Sequence, residues 1–208
     1  MKGSLLPSIQ TSKKRPTAPE TRQRILDAAA HLFKDAGYAA VSLRGIADMA
    51  GMKAGSVYYH FKSKEEIVLE VLNTGIERVH DAVQSSYDDA RESRSGSRII
   101  SECVKAHLNT LLAHSDYTSA NVRIYGQVPQ TVQLDAKIVR RKYESLWDEI
   151  LGSVKAAGQL NETVDLRLFR LMLIGSLNAT LEWFDPEHGN VEELANGYLE
   201  ILLNGLME

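Results

Sequence analysis

Residues 42–61 read SLRGIADMAGMKAGSVYYHF, a pattern that predicts two short helices meeting at a tight turn. Ser42 is a helix-capping residue, and Gly51 supplies the turn between a helix over 43–50 and another over 54–61. A short helix, a glycine-containing turn and a second helix are typical of a helix-turn-helix. Small and apolar side chains are expected to fill the crossing of the two helices: Ile46, Ala47, Ala50, Val57 and Phe61.

The second of these helices should turn a polar face outward. Val57 and Phe61 lie four residues apart and define the buried side, so the 100° step per residue points Gly55, Tyr59 and Lys62 away from it. Small residues let a helix enter a DNA major groove, and hydroxyl, imidazole and ammonium groups can bind phosphates. The alternative to DNA binding is that these polar side chains only pack against the protein or face solvent: Tyr58, Tyr59, His60, Lys62 and Lys64.

The charge of the chain is divided unevenly along its length. Residues 1–64 carry 11 Lys and Arg against 4 Asp and Glu, a net charge of +7, whereas residues 65–208 carry a net charge of −10. A basic segment joined to an acidic body is typical of proteins that bind a polyanion. Nucleic acid is the obvious polyanion, because basic side chains near phosphates release counterions.

The whole chain is predicted to be all-α, with about nine helices. Glycines and prolines fall at helix-length intervals, and no stretch shows the sustained alternation of a strand. We expect a flexible arm over 1–19, a three-helix domain with the helix-turn-helix over 20–64, and a larger helical domain over 65–208. The predicted helices cover 21–36, 43–50, 54–61, 63–87, 98–114, 117–127, 129–157, 165–184 and 191–206.

Composition and motifs argue against membrane, secreted and enzymatic classes. No apolar run approaches the roughly 18–20 residues of a membrane span, and the first twenty residues lack a signal-peptide core. One cysteine, Cys103, cannot form an internal disulfide, so we expect a cytoplasmic protein. Gly-rich phosphate loops, HExxH and Gly-x-Ser-x-Gly are missing, so we predict no catalytic site and no cofactor. A helical scaffold that does not bind DNA is the remaining alternative.

Five segments of the N-terminal third carry a family pattern. They are TRQRILDAA at 21–29, LF at 32–33, GY at 37–38, SLRGIA at 42–47 and GSVYYHFKSKE at 55–65. Together they resemble the DNA-binding domain of the TetR family of transcriptional regulators almost end to end. The resemblance implies a ligand-responsive repressor that a small molecule releases from a palindromic, double-stranded DNA operator.

The same resemblance assigns roles to individual residues of the DNA-binding domain. Ala54, Gly55 and Tyr58 would face base edges, and Lys53 would touch either a base or a phosphate. The phosphates would be held by Ser42, Ser56, Tyr59, His60 and Lys64. In the arm, Lys13, Lys14 and Arg15 would either enter a minor groove or belong to a solubilising tail.

The last two predicted helices carry more apolar surface than one buried face requires. A single helix-turn-helix contacts few base pairs, so two copies on a palindrome are expected, and the TetR resemblance implies a homodimer built from these helices as a four-helix bundle. The alternative is a core helix buried within one subunit. The residues predicted at the dimer interface are Leu173, Ile174, Leu177, Leu181, Phe184, Tyr198, Ile201 and Leu202.

Helices between 98 and 157 are expected to surround a ligand pocket. Segments around 121–125 and 175–186 resemble a TetR branch that regulates fatty-acid and steroid breakdown in response to acyl-CoA thioesters. Such a ligand would need an apolar channel and basic groups, although exposed arginines and core side chains give the same pattern. The predicted pocket residues are Leu108, Leu112, Arg123, Tyr125, Arg140, Trp147 and Asn178.

Cys103 and His107 raise the separate possibility of a metal site. They lie four residues apart and share one helix face, so both could bind a soft divalent ion. His114 lies about 10.5 Å further along the helix, at 1.5 Å per residue, which is too far to bind the same ion. Because two ligands are too few, packing residues are the preferred interpretation, and no metal is predicted.

Overall fold

The computed structural model describes residues 17–113, 115–185 and 187–206, and over these residues it is helical without strands. The all-α fold with nine helices is confirmed there. The helices are α1 (Ala18–Ala40), α2 (Leu43–Met49), α3 (Ala54–His60), α4 (Lys64–Ala90), α5 (Gly96–Leu112), α6 (Asp116–Ile124), α7 (Gln130–Ala156), α8 (Leu166–Trp183) and α9 (Val191–Leu206). Short 3₁₀ turns follow α4 at Arg91–Ser93 and α6 at Tyr125–Gln127. Residues 1–16 of the predicted arm, including Lys13, Lys14 and Arg15, and also His114, lie outside the described residues.

The first helix begins at Ala18, earlier than the sequence pattern predicts. Thr17 Oγ1 accepts the Glu20 amide, and the Glu20 carboxylate accepts the Thr17 amide at 2.7 Å, which together form a capping box. Pro19 lies in the first turn, where its missing N–H leaves no helical bond unmade. The regular part of α1 is interrupted where predicted, at Gly37, which adopts a φ of 77° that favours glycine.

The turn between α2 and α3 has the geometry that the sequence predicts. Ser42 Oγ caps α2 by accepting the Gly45 amide at 3.1 Å. Gly51 follows α2 with a φ of 67°, and the next amide, that of Met52, donates back to the Ala47 carbonyl at 2.9 Å. This left-handed residue ends α2, so α3 can begin three residues later in a different direction.

Two hydrophobic clusters form the interior, and α4 runs through both of them. The first cluster joins α1, α2, α3 and the start of α4 to α6 and the beginning of α7. The second joins the rest of α4 to α5, α7, α8 and α9. The predicted boundary at 64–65 falls at the start of α4, and α6 packs against both α1 and α4. No helix among the described residues is both long and apolar enough to cross a bilayer.

The close approach of α4 and α6 depends on Gly75. A Cβ atom at this position would lie 2.3 Å from the Tyr117 carbonyl oxygen and 2.8 Å from Asn121 Cβ. Asn121 Nδ2 also donates to the Leu72 carbonyl on α4 at 2.6 Å. The two helices are therefore tightly joined at the level where the body of the protein meets the helix-turn-helix.

Candidate DNA-binding and ligand-binding sites

The exposed face of α3 is the one that the sequence predicts. Val57 and Phe61 are buried, whereas the side chains of Tyr58 and Tyr59 are 59% and 83% exposed. A Cβ atom at Gly55 would meet no heavy atom within 4 Å, so the helix surface is open there. Exposed aromatic hydroxyls beside an open glycine suit a helix that enters a groove and reaches the flanking phosphates.

Contacts with α1 and α4 hold this short helix in place. Arg22 pairs with Glu70 on α4, and its guanidinium lies 4.5 Å above the ring of Phe61 at the end of α3. Arg24 Nη2 donates to the Ala50 carbonyl at 2.5 Å and so fixes the end of α2. Because α3 has only seven residues, its direction is set by these neighbours rather than by its own length.

The ammonium group of Lys64 is used inside the protein, in addition to its predicted phosphate contact. Lys64 Nζ donates to the carbonyls of Tyr38 at 3.0 Å and Val41 at 2.9 Å, and it lies 3.9 Å above the Tyr38 ring. The Tyr38 hydroxyl in turn donates to Glu65, and burial, followed by this bond, raises the pKa of Tyr38 to about 12. With two donors committed, Lys64 keeps one N–H for a phosphate, and the exposed Lys62 is the more accessible ammonium.

The remaining predicted DNA contacts lie at the N-terminal ends of α2 and α3 or on α3 itself: Ser42, Lys53, Ala54, Ser56 and His60. Ser42 and Lys53 are exposed, and the His60 ring packs edge-on against Tyr59 with 5.1 Å between the ring centroids. Ser42 Oγ accepts an amide as a helix cap, which leaves its hydroxyl hydrogen free to bind a phosphate. These positions remain predictions as DNA contacts.

A cavity of about 240 Å³ lies between α4, α5, α6, α7 and α8. Apolar side chains form much of its wall, and a few polar groups point into it. Two of the predicted pocket residues, Arg140 and Asn178, line it. The polar and charged lining residues are His107, Thr118, Asn121, Arg140, Tyr143, Glu144, Arg170 and Asn178.

The structure places the other predicted pocket residues elsewhere. Leu108 and Trp147 have no exposed surface and belong to the second hydrophobic cluster, because their helices turn these side chains toward the packed interior. Leu112 and Arg123 line a separate groove with Leu181 and Phe184. The Arg123 Nε atom lies 3.8 Å from Oε1 of Glu182. Tyr125 does not line the cavity, but its ring stacks beneath the Arg140 guanidinium at 4.0 Å.

His107 is a buried, neutral histidine. Its Nδ1 lies 2.6 Å from the Tyr143 hydroxyl, and Nε2 has no hydrogen-bond partner among the described residues. Burial lowers the pKa of His107 to about 4, against a smaller opposing effect of the nearby Asn178 side chain. Cys103 is buried as well, and burial raises the pKa of its thiol to about 12. No cluster of three metal-binding side chains occurs in the described part of the chain.

The buried His107 predicts a loss of stability in acid. An unfolded chain protonates this histidine near pH 6.5, whereas the folded protein resists protonation until about pH 4. The unfolded state therefore binds the proton first, so this stabilising contribution is complete above pH 6.5 and falls as the pH drops toward 4. Between pH 7 and pH 5 the loss should be about 1–2 kcal/mol. Urea unfolding at both pH values measures it, and His107→Gln should lose less; an equal loss in both proteins would contradict the assignment.

Part of the predicted dimer interface is wrong, because some of its residues on α8 point into the protomer and not outward. Leu173 and Leu177 have no exposed surface and point into their own protomer, where they pack in the second cluster. Ile174 lines the cavity, Leu181 and Phe184 line the separate groove, and the Tyr198 hydroxyl donates to the Ser176 carbonyl at 2.8 Å. Ile201 is 77% exposed and Leu202 is partly buried. Large apolar side chains that do face outward on α8 are Leu168, Leu171, Met172 and Trp183.

Two segments of the chain match models of known protein families. Residues 25–71 match the model of bacterial regulatory proteins of the tetR family, and residues 93–206 match the model of the tetracyclin repressor-like C-terminal domain. The chain belongs to the TetR family. The first match contains the helix-turn-helix, and the second contains α5 to α9.

Relatives of this TetR-family chain are transcriptional regulators. The repressor KstR2 of Mycolicibacterium smegmatis is 27% identical over 199 residues, which cover 93% of this chain and 94% of the relative. The fatty acid metabolism regulator protein of Bacillus subtilis is 26% identical over 187 residues, which cover 88% and 94%. A crystal structure of AibR in complex with isovaleryl coenzyme A and operator DNA superposes with a TM-score of 0.77 at 21% identity, over 88% and 97% of the two chains. At 21% identity, this structural similarity supports the TetR fold alone.

Several residues that line the cavity between α4 and α8 could not be predicted from the sequence. Asn121, Tyr143, Glu144 and Arg170 lie on helices whose apolar stripes were visible, but their direction depends on how α6, α7 and α8 cross. From the sequence, His107 is predicted to be a packing residue, with a metal ligand as the alternative, and not a cavity residue. Its signal was an imidazole on the apolar face of α5, a position that needs a polar partner once it is buried.

Proposed function

We propose that this protein is a homodimeric, ligand-responsive repressor that binds a palindromic operator through α3. The observation that carries the proposal is the outward face of α3, where Gly55, Tyr58 and Tyr59 are exposed and contribute little to the packing of the fold. In this proposal residues 20–64 bind DNA, and residues 65–208 bind the effector and the second subunit. Tyr58 reads bases, and Tyr59 binds a phosphate.

Dimerisation is supported by the exposed apolar residues of α8 and α9. Leu168, Met172 and Trp183 on α8 and Ile201 on α9 are more than half exposed, which is unusual for large apolar side chains of a monomer. A twofold axis through this surface would bury the same residues of both subunits. It would also place two α3 helices on one duplex, about 34–36 Å apart.

The effector is proposed to be a hydrophobic anion that binds in the α4–α8 cavity, and an acyl-CoA is one candidate. Two observations support this class: the cavity combines apolar walls with Arg140, and the structurally similar AibR carries isovaleryl coenzyme A. A relative is named as a regulator of fatty acid metabolism. Because α6 lines the cavity and also packs on α1, a ligand that prefers one position of α6 would change the position of α3.

The proposal assigns no catalytic role to the protein and places its action in the cytoplasm, where a bacterial operator is accessible. Its first test is salt-dependent binding to duplex DNA, with the operator recovered by selecting bound duplexes from a random-sequence pool. A repressor loses affinity steeply as salt rises, because phosphate contacts release counterions. A helical scaffold or an enzyme would leave the pool unbound.

Tyr58 and Tyr59 should differ in what their loss does. Tyr59→Ala is expected to weaken binding to every duplex by about ten- to a hundredfold, since a hydrogen bond to a charged phosphate contributes about 1.5–3 kcal/mol. Tyr58→Ala should weaken binding and also change the preferred half-site. Anisotropy titrations with the selected operator and with single-base variants measure both effects. Tyr59→Phe isolates the hydroxyl, and operator affinity unchanged in both alanine variants would refute the roles assigned to them.

A further inference from the structure

The cavity contains one positive charge that no carboxylate balances directly. Arg170 is paired twice, with Asp148 at 2.7 Å and with Glu144 at 3.4 Å. Arg140, by contrast, has no carboxylate oxygen within 4.0 Å among the described residues. Its guanidinium is held by the Asn121 side-chain oxygen at 3.0 Å and by the Tyr125 ring at 4.0 Å, both uncharged groups.

The surroundings of Arg140 make this charge costly for the protein. Burial lowers the pKa of Arg140, against the smaller opposing effects of Tyr125 and Glu144. A partly buried cation whose direct contacts are uncharged is stabilised when an anion reaches it, and an Arg–carboxylate pair is among the stronger hydrogen-bonded pairs in proteins. Arg140 is therefore the lining residue best suited to receive a negative group inside the cavity.

The remainder of the cavity defines what the negative group is attached to. Ile76, Val79, Leu111 and Ile174 form the apolar wall. His107 also lines the cavity, and its buried Nε2 has no hydrogen-bond partner among the residues that the structure describes. When the Tyr143 hydroxyl donates to Nδ1, the Nε2 hydrogen is available for a ligand oxygen. A volume of about 240 Å³ lies below the roughly 300–1,000 Å³ of pockets for drug-sized ligands, so it suits a small acid better than a whole coenzyme A thioester.

We infer that the effector is a small apolar carboxylic acid whose carboxylate binds Arg140 and whose body fills the apolar part of the cavity, with His107 offering a second hydrogen bond. The inference rests on the ligand-responsive function proposed above and narrows its effector class to the free acid.

The position of Arg140 also connects the effector to the DNA-binding domain. Asn121 accepts from Arg140 with one atom of its amide and donates to the Leu72 carbonyl of α4 with the other. A carboxylate on Arg140 competes with the Asn121 oxygen for the same guanidinium. Binding of the acid thus loosens the link between α7, α6 and α4, and α6 in turn packs on α1.

The test compares acids with their neutral amides on the full-length protein. Butanoate, octanoate and cyclohexanecarboxylate are each titrated by calorimetry beside the corresponding primary amide, and octanoyl-CoA is titrated separately. At least one acid should bind wild type about tenfold more tightly than its amide, because the charged hydrogen bond is lost in the amide. Arg140→Gln should bind the acid and the amide equally. Arg141→Gln, which removes the neighbouring exposed arginine outside the cavity, should keep the preference.

Asn121→Asp gives a second variant that does not remove Arg140. It places a carboxylate beside the guanidinium, so the acid should bind about tenfold more weakly than to wild type. The inference is overturned if no acid binds, if acid and amide bind wild type equally, if the preference survives in Arg140→Gln, or if only octanoyl-CoA binds. Operator binding by the ligand-free wild-type protein is measured separately and does not depend on these outcomes. Its loss in wild type would refute the proposed function instead.

Discussion

Replacing Gly55 with glutamate is expected to remove operator binding without lowering the stability of the fold. The position lies on the exposed face of α3, and a Cβ atom there meets nothing within 4 Å, so the folded protein accepts the side chain. Glutamate also favours a helix by roughly 0.5–1 kcal/mol over glycine. Against DNA, the same side chain brings bulk and a negative charge into a groove lined by phosphates, and we expect at least about a hundredfold loss of affinity.

Gly152→Glu is the matched control for this substitution. Gly152 lies near the C-terminal end of α7, between Leu151 and Val154 of the second hydrophobic cluster, and a Cβ atom there also meets nothing within 4 Å. The two variants therefore share the same change of residue, charge and helix propensity. Thermal unfolding checks that both are folded, and anisotropy titration with the selected operator compares them. Equal operator affinity in Gly55→Glu and wild type would place the DNA-binding surface elsewhere.

Replacing Met172 with arginine is expected to separate the dimer and, as a result, to weaken operator binding strongly. Met172 is 64% exposed on the outward face of α8, beside the exposed Gly175 and Ala179, where a second α8 can approach closely. A charge buried there would face its own copy across the twofold axis, so repulsion and desolvation act together. Loss of the second binding module should cost about 10²–10⁴ in affinity.

Ile138→Arg is the control for placing an arginine at an exposed apolar position outside α8. Ile138 lies on α7 and is 65% exposed, which matches Met172 in exposure and in the chemistry of the change. Analytical ultracentrifugation should find the Met172 variant monomeric and the Ile138 variant dimeric, with operator affinity following the same order. A dimeric Met172→Arg protein with wild-type affinity would contradict the assignment of α8 to the interface.

The helix-turn-helix could be predicted closely because it depends on residues that are near one another in the sequence. The spacing of Val57 and Phe61 defines the buried side of a helix, and Gly51 can be recognised as a turn without knowledge of the rest of the fold. The start of α1 was predicted too late, because Thr17 and Pro19 were assigned to the arm rather than recognised as a cap and a first-turn proline. The late start predicted for α1 and the correct turn at Gly51 both depend on interactions between residues a few positions apart.

The cavity and the α8 surface could be predicted only in part, because they depend on how distant helices cross. Of the predicted pocket residues, Arg140 and Asn178 line the cavity, whereas Trp147 packs in the core. Since α8 is apolar nearly all round, its sequence does not distinguish the inward Leu173 and Leu177 from the outward Met172. Gly75 gave no sequence signal at all, because its role is a contact with α6 more than forty residues away.

The most direct test of the account is the symmetry of the duplexes that the wild-type protein enriches from a random-sequence pool. Two copies of α3 related by a twofold axis predict an inverted repeat whose half-sites are centred about one helical turn, or a multiple of it, apart. Footprinting on the enriched duplex should show two protected major grooves on one side of the DNA. Failure to enrich any sequence, or enrichment of a site without twofold symmetry, would contradict the claim that paired α3 helices read the operator.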